Sequence, residues 1–346
     1  MWITSCLETV KTPTVVALGN FDGVHSGHQT VIEPVWLAAQ RCRTTPADML
    51  AVSPPPTSVL IPTVVTFNPH PREFFTGKRR DLLTPLDEKV MQLSQIGVEQ
   101  LVRLPFDQAL SNLSPADFVE QVLVRSLSAQ EISVGENFCF GHRRAGTAQD
   151  LRAIAAGYNI PVHVVPMHML DGERVSSSGI RDYLRQGQVQ PAARLLGRPY
   201  TLVGEVVQGQ QLGRSLGFPT ANLRLPAEKF LPQLGVYAVR VSLHNIATPA
   251  LDRSPRPDSA ADLESPVLRA LPGVMNVGYR PTVDGTQRQI EVHLLDWAGD
   301  LYGKTLIVSL EAFLRPEQKF DSLDALKAQI QQDCDHARSH LQTPPL

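Results

Sequence analysis

The sequence has little net charge, no paired cysteines, few aromatic residues and no long apolar run. Its 346 residues carry 32 lysines and arginines against 34 aspartates and glutamates. No global field therefore points to nucleic acid or to an anionic membrane, and any phosphate chemistry must use local groups. The four cysteines, Cys6, Cys42, Cys139 and Cys334, form no CxxC pair, which argues against a zinc ribbon, a redox dithiol or a disulfide framework. Aromatic residues make up only 6%, whereas an OB-like nucleic-acid module expects a basic surface with exposed aromatics. No apolar stretch is long enough to span a bilayer, and the opening MWITSCLETVK lacks the basic and apolar regions of a secretory signal. The expected location is cytoplasmic, with no membrane and no nucleic-acid partner. A P-loop is missing as well: Gly303-Lys304-Thr305 would need a glycine five places before Gly303, and the chain has Ala298.

What is present is an alternation. From Thr14 to about Pro199, the runs TVVAL, TVVTF, VEQLVRL, EISVG and PVHVVP read as buried strands, separated by helical spacing over Pro85 to Ile96, Pro115 to Leu127 and Thr147 to Gly157. Such alternation predicts an α/β domain with a parallel sheet and crossover helices. The stretch after His28 has helical composition, yet Pro34 inside it should kink that helix or shift its start. Beyond RDYLRQGQVQPAARLLGRPY the texture becomes β-rich: TLVGEVVQG, GVYAVRVSL, GVMNVGY, QIEVHLLD and TLIVSLEAFL precede a closing helix from Ser322 onward. Closely spaced strands without helices between them predict a small antiparallel β-barrel. The boundary should fall near residues 186 to 198, giving domains 1–186 and 187–346. Two Pro-rich tracts, 44–62 and 247–266, read as insertions between the elements.

The first strand runs into LGNFDGVHSGH, where Gly19, Gly23 and Gly27 precede a helix start near His28. A strand, a glycine-rich turn and a helix N-terminus favour an anion through backbone N–H groups and the helix dipole. His25 and His28 are three apart, so both rings can face one side and donate to phosphate oxygens. Zinc could use that spacing too, although only Asp22 offers a third ligand nearby.

GNFDGVHSGH resembles the HxGH signature of the nucleotidylyltransferase superfamily, with its Rossmann-like fold, and the longer string is similar to the opening of bacterial FAD synthetases. TFNPHPREFF, VGENFCFGHRRAG and RVSSSGIRDYL match the same family in order. The resemblance implies transfer of an adenylyl group from ATP to FMN. It assigns Gly19, Asn20, Phe21, Gly23, His25 and His28 to ATP, with Ser177, Ser178 and Arg181 on the same phosphates and the two serines capping a helix. A plain N-cap at Ser176 to Ser178 is expected in addition, and Arg181 alone would read as a surface arginine. Asn137 and Phe138 are placed at the flavin, Phe138 with core packing as its competing reading. His28 and Asn137 carry catalytic roles. His70 and Arg72 could meet substrate phosphate, or the Pro-His-Pro turn could serve only shape.

GQQLGRSLGFPTANL, GVYAV, NVGYRPT, EVHLLD, LYG and LRPEQKF resemble the riboflavin kinase signature, again in order. The family implied is the bifunctional bacterial riboflavin kinase/FAD synthetase: riboflavin and ATP give FMN and ADP, and FMN and ATP give FAD and pyrophosphate. Gly213 and Gly217 would let the backbone approach ATP, and Thr220 and Asn222 would supply oxygen to Mg²⁺ bound with ATP. No tightly bound redox cofactor is required. Glu291 is the expected base, although its alternation with Ile290, Val292 and Leu294 also fits a solvated strand face. Arg315 and Phe320 are expected at the flavin, or at an ordinary entry into the last helix.

Overall fold

The computed structural model describes residues 1–44, 59–209, 213, 216–243, 270–282 and 285–342. The expected insertions therefore lie mostly outside the described residues, except that Ile61 and Pro62 open a strand. The chain forms two compact units: Met1–Gly179 with Leu195–Gly197, and Ile180–Arg194 with Arg198–Leu346.

The first unit contains β1 (Trp2–Thr4), β2 (Thr14–Leu18), α1 (Ser26–Thr44), β3 (Ile61–Asn68), α2 (Pro71–Thr76), α3 (Leu86–Gln95), β4 (Gln100–Pro105), α4 (Gln108–Asn112), α5 (Pro115–Phe118), β5 (Ala129–Gly135), β6 (Cys139–Phe140), β7 (Gly146–Thr147), α6 (Ala148–Ala156), β8 (Val162–Val165), β9 (Met169–Leu170) and β10 (Glu173–Arg174). Six strands pair in the order β1-β4-β3-β2-β5-β8, all parallel. Alternation along β2 explains the two layers around it. Val15 and Ala17 pack with Val31, Ile32 and Val35 of α1 and Leu93 of α3, while Val16 and Leu18 pack with Phe118, Leu123 and Leu151 on the other face. Strand order reverses at β2, between β3 and β5. In such open sheets the crevice at the carboxyl ends beside this reversal is the usual ligand site.

Two helices differ from expectation. α1 begins at Ser26 and continues through Pro34 to Thr44. Proline removes one backbone donor, but Val31, Ile32, Val35 and Ala38 are buried against the sheet on both sides of it, and that packing sustains the helix. The segment expected as one plain helix leaves α5 as a π-helix over Val119–Ser126, with Leu127 N–H donating to the Val122 carbonyl at 3.0 Å. α3 and α6 lie where their patterns placed them, and Thr147 caps α6 with Asp150 in a reciprocal box.

α7 (Ser177–Arg185) and α8 (Val189–Leu196) each contribute residues to both units. The second unit is built on β11 (Tyr200–Val207), β12 (Ala221–Arg224), β13 (Gly235–Leu243), β14 (Leu271–Thr282), β15 (Gly285–Leu294), β16 (Thr305–Arg315) and α9 (Leu323–Leu341). The strands close an antiparallel barrel in the order β11-β12-β15-β14-β13-β16. Leu202, Val206, Met275, Ile290, Val292 and Val308 are buried at alternate positions along their strands. α9, capped by Ser322, lays Cys334, Ala337 and Leu341 on Val236, Ala238, Val274 and Ala312.

One ion pair fastens α9 to the barrel. Arg315 donates to both oxygens of Asp333 at 2.7–3.2 Å, and Gln329 adds a bond to the same carboxylate. Asp333→Ala leaves the Arg315 side chain, only 18% exposed, without its counter-charge. Removing one partner of a buried pair costs about 3–5 kcal/mol, so urea unfolding of the variant should show that loss. A change under about 1 kcal/mol would mean the pair behaves as a surface bridge.

Candidate functional sites

β2 ends at Leu18, and the backbone then turns through residues 19–25 into α1. Phe21 and Val24 adopt φ of 48° and 43°, and Gly23 of 95°, a sequence of left-handed residues that ordinary side chains resist. Burial holds them there: Phe21 and Val24 are each 1% exposed. At the helix start the rings of His25 and His28 stack with centroids 3.5 Å apart, and Phe21 meets His28 edge-on at 5.3 Å. His25 Nδ1 accepts the His28 N–H at 3.2 Å, which leaves the His25 proton on Nε2. That bond uses one histidine lone pair, and Asp22 Oδ1 accepts the Thr84 N–H at 3.2 Å. Parallel rings with these partners are unsuited to sharing a metal ion, and no group of three or more potential metal ligands occurs among the described residues.

Ser177 joins this turn, donating its hydroxyl to the Asp22 carbonyl at 2.8 Å. The cap of α7 is the residue before it. Ser176 Oγ accepts the Gly179 N–H at 3.1 Å, so the expected N-cap within Ser176 to Ser178 is made by Ser176, not by Ser177 or Ser178. Arg181 belongs to the second unit, 4% exposed, with its guanidinium 5.7 Å from the Phe230 ring. Across the strand reversal, β5 ends at Gly135 and Asn137 sits exposed just beyond it. Phe138 is half-buried against the core and stacks on Phe140 at 5.8 Å.

Beside the turn lies a pocket lined in part by the GNFDGVHSGH and TFNPHPREFF motifs, with His70, one of the residues expected at substrate phosphate, in its wall. It is lined from the ends of β2, β3 and β4 and from α2 and α3, and includes Asn20, Asp22, Thr66, His70, Lys89 and Arg103. His70 is the N-cap of α2, its Nδ1 accepting the Arg72 N–H at 3.0 Å, and Arg72 itself is exposed. Burial, with Arg80 nearby, holds the His70 imidazole below its ordinary pKa. Phe67, Phe74, Phe75 and Phe106 meet edge-to-face at 5.2–5.8 Å, and Phe75 remains 69% exposed. Phe67, Phe74 and Phe75 belong to the TFNPHPREFF motif, whereas Lys89 of α3 and Arg103 of β4 come from separate elements and no local pattern announces them.

In the barrel, register assembles the second set. Glu291 stands opposite Asn222 of β12 and Asn276 of β14, making one row across three strands. Its neighbours Ile290 and Val292 point into the barrel at 2% and 1% exposure, so Glu291 faces outward, half-buried. Gln289, two residues along, donates to Glu291 Oε1 at 2.8 Å. Asn222 lies against Gly209, where a Cβ would come within 2.1 Å of its amide nitrogen. Gly213 approaches the Phe218 carbonyl so closely that a Cβ would stand 2.4 Å away, with the Thr220 hydroxyl at 3.3 Å. Glycine is therefore required at Gly213, where the close atom is backbone, while at Gly209 a side chain would have to displace the Asn222 amide. Gly217, with φ of 90°, has open space around it. Arg315 and Phe320 are brought together, 5.7 Å from guanidinium to ring, but the guanidinium is held by Asp333.

Known proteins match this arrangement along nearly the whole chain. A family model described as FAD synthetase matches residues 7–179, and one described as riboflavin kinase matches residues 196–341. A bifunctional riboflavin kinase/FMN adenylyltransferase from Pseudomonas fluorescens is 37% identical over 94% of this chain and 92% of its own. The chain belongs to the bifunctional riboflavin kinase/FMN adenylyltransferase family. The Escherichia coli K12 member is 36% identical over 92% of this chain and 90% of its own, and the Bacillus subtilis member 32% over 94% and 92%. Among solved structures, a macrolide-efflux protein from Streptococcus pneumoniae superimposes with a TM-score of 0.77 at 28% identity, covering 97% of this chain and 98% of that one. Among the described residues, no helix is long and apolar enough to cross a membrane. The FAD synthetase match encloses the His25–His28 turn, Asn137 and Ser177, and the riboflavin kinase match encloses the Asn222–Glu291–Asn276 row.

Proposed function

We infer that this chain phosphorylates riboflavin with residues of the barrel and adenylylates the resulting FMN with residues of the parallel-sheet unit, using ATP in both reactions. The observation that carries this reading is that each family match encloses its own assembled set of polar residues. The division into 1–186 for FAD formation and 187–346 for FMN formation remains the working assignment.

For the kinase, Glu291 accepts the proton of the riboflavin ribityl hydroxyl as that oxygen attacks the γ-phosphorus and ADP leaves. Gln289 fixes the carboxylate by its bond to Oε1, and the neighbouring asparagine rows limit its swing. Gly209 and Gly213 bring main chain, Asn222 and Thr220 into close approach. Thr220 and Asn222 are oxygen donors suited to Mg²⁺, which when bound with ATP spreads phosphate charge. For adenylyl transfer, a phosphate oxygen of FMN attacks the α-phosphorus and pyrophosphate leaves. His25 Nε2–H, His28 and the first N–H groups of α1 face the charge that develops, with no covalent nucleophile needed. In this reading Asn137 and Phe138 meet the flavin.

Incubating the protein with riboflavin, ATP and Mg²⁺ and separating flavins and nucleotides by chromatography should give FMN with ADP, then FAD with pyrophosphate. FMN without FAD at saturating ATP would remove the first unit's activity. An efflux or binding role would give neither product.

A further inference from the structure

The pocket beside the His25–His28 turn has a charge pattern that the reaction, as described so far, does not use. Its carboxylates are occupied: Asp22 Oδ1 accepts the Thr84 N–H at 3.2 Å, and Glu73 accepts the N–H groups of His70 and Arg80 at 3.3 and 2.6 Å. Its cations are less well matched. Lys89 Nζ donates to the Asn20 carbonyl at 2.9 Å, where the Thr66 hydroxyl also donates at 3.2 Å. Arg103, at the end of β4, has no hydrogen bond or ion pair among the described residues, and it faces Lys89 as a like charge. Burial pushes the Lys89 ammonium below its ordinary range; Asp22 opposes that shift and Arg103 adds to it. In the same pocket wall, Asn20 Oδ1 is buried with no hydrogen-bond partner among the described residues. His70, with Nδ1 accepting from Arg72, presents its protonated Nε2 as a donor.

We propose that Lys89 and Arg103 receive the phosphate monoester of the acceptor flavin, making this pocket the place where adenylyl transfer distinguishes FMN from riboflavin. A phosphate monoester carries a charge of about −1.5 to −2 at pH 7, the complement that two neighbouring cations require. Arg103 can grip it with two parallel N–H bonds, and Lys89 serves as a point charge. Riboflavin has the same ring and ribityl chain but no phosphate, so it leaves the cations facing each other. A site built to bond a polar group rejects an analogue lacking it far more strongly than an apolar pocket rejects a missing methylene. Lys89 also joins the two substrates' sites, because the carbonyl it holds belongs to the turn that leads to His25. The bound phosphate is thereby set beside the ATP turn, as an in-line attack demands.

The inference rests on FAD formation being this unit's reaction, and the experiment separates the two. In the full chain, Arg103→Gln should raise the KM for FMN in FAD formation roughly ten- to a hundredfold, the loss of one or two charge-assisted bonds, with the KM for ATP little changed. Arg103→Lys should recover part of the loss. Inorganic phosphate should compete with FMN in the original chain and lose potency in Arg103→Gln, while Lys89→Met should raise the KM for FMN as well. An increase confined to the KM for ATP, or no change in either constant, would overturn the proposal. If the original chain forms no FAD at all, the activity assignment fails instead. The pocket is then judged by titration calorimetry with inorganic phosphate, whose binding must weaken in Arg103→Gln for the proposal to stand.

Discussion

Glu291→Gln should abolish FMN formation while FAD formation from supplied FMN continues. The substitution preserves size and leaves an amide oxygen for the Gln289 donor that now bonds Oε1 at 2.8 Å, so the Asn222–Glu291–Asn276 row survives. What disappears is the proton acceptor, and removing a general base typically lowers the rate by about 10² to 10⁴. A carboxylate on a solvated strand face predicts a different result, since surface substitutions usually stay within about 0.5 kcal/mol. Rate measurements on riboflavin at saturating Mg-ATP, with binding of both substrates checked separately, decide between them. Phosphorylation near the original rate would return Glu291 to the solvated face; lost binding would make it a substrate ligand.

The other large effect belongs to the first unit. His28→Ala should slow FAD formation by about a hundredfold or more, because losing one positioned donor to developing charge typically costs about 3 kcal/mol. Riboflavin phosphorylation should persist. The ring that is removed stacks on His25 and packs edge-on against Phe21, so a melting curve is needed beside the kinetics. Equal loss of both activities in a folded protein would contradict the assignment of the two reactions to separate units. If the original protein carries zinc and the variant does not, the two histidines are metal ligands after all.

Some of this was legible before the structure and some was not, for physical reasons. TVVAL and TVVTF announce β2 and β3 because a parallel strand covered on both faces is apolar at nearly every position. β1 escaped notice, being three residues long with two of them exposed. β12 gives no strand signal at the end of GQQLGRSLGFPTANL. Its four residues are too few for an alternation to show, yet they close the barrel and carry Asn222 to Glu291. That Pro34 does not end α1 is beyond local propensity, which cannot weigh the buried faces on either side of it. The HxGH histidines and the FPTAN loop were visible as motifs, since their chemistry is written in contiguous residues. Lys89 and Arg103 were not, because α3 and β4 meet only in the folded sheet.

The closed barrel also bears on how this protein can change over evolutionary time. β13 and β14 are paired from Gly235↔Val277 through Val241↔Leu271, and β14 is in turn paired with β15 along ten successive positions. The long connection from Leu243 to Leu271 thus leaves and re-enters a ladder whose alignment is set by the strands themselves. Lengthening such a connection costs little, about 0.6 kcal/mol for each doubling. A lineage can rewrite that hairpin freely in length and composition, whereas one residue added inside β15 would turn Glu291 into the barrel.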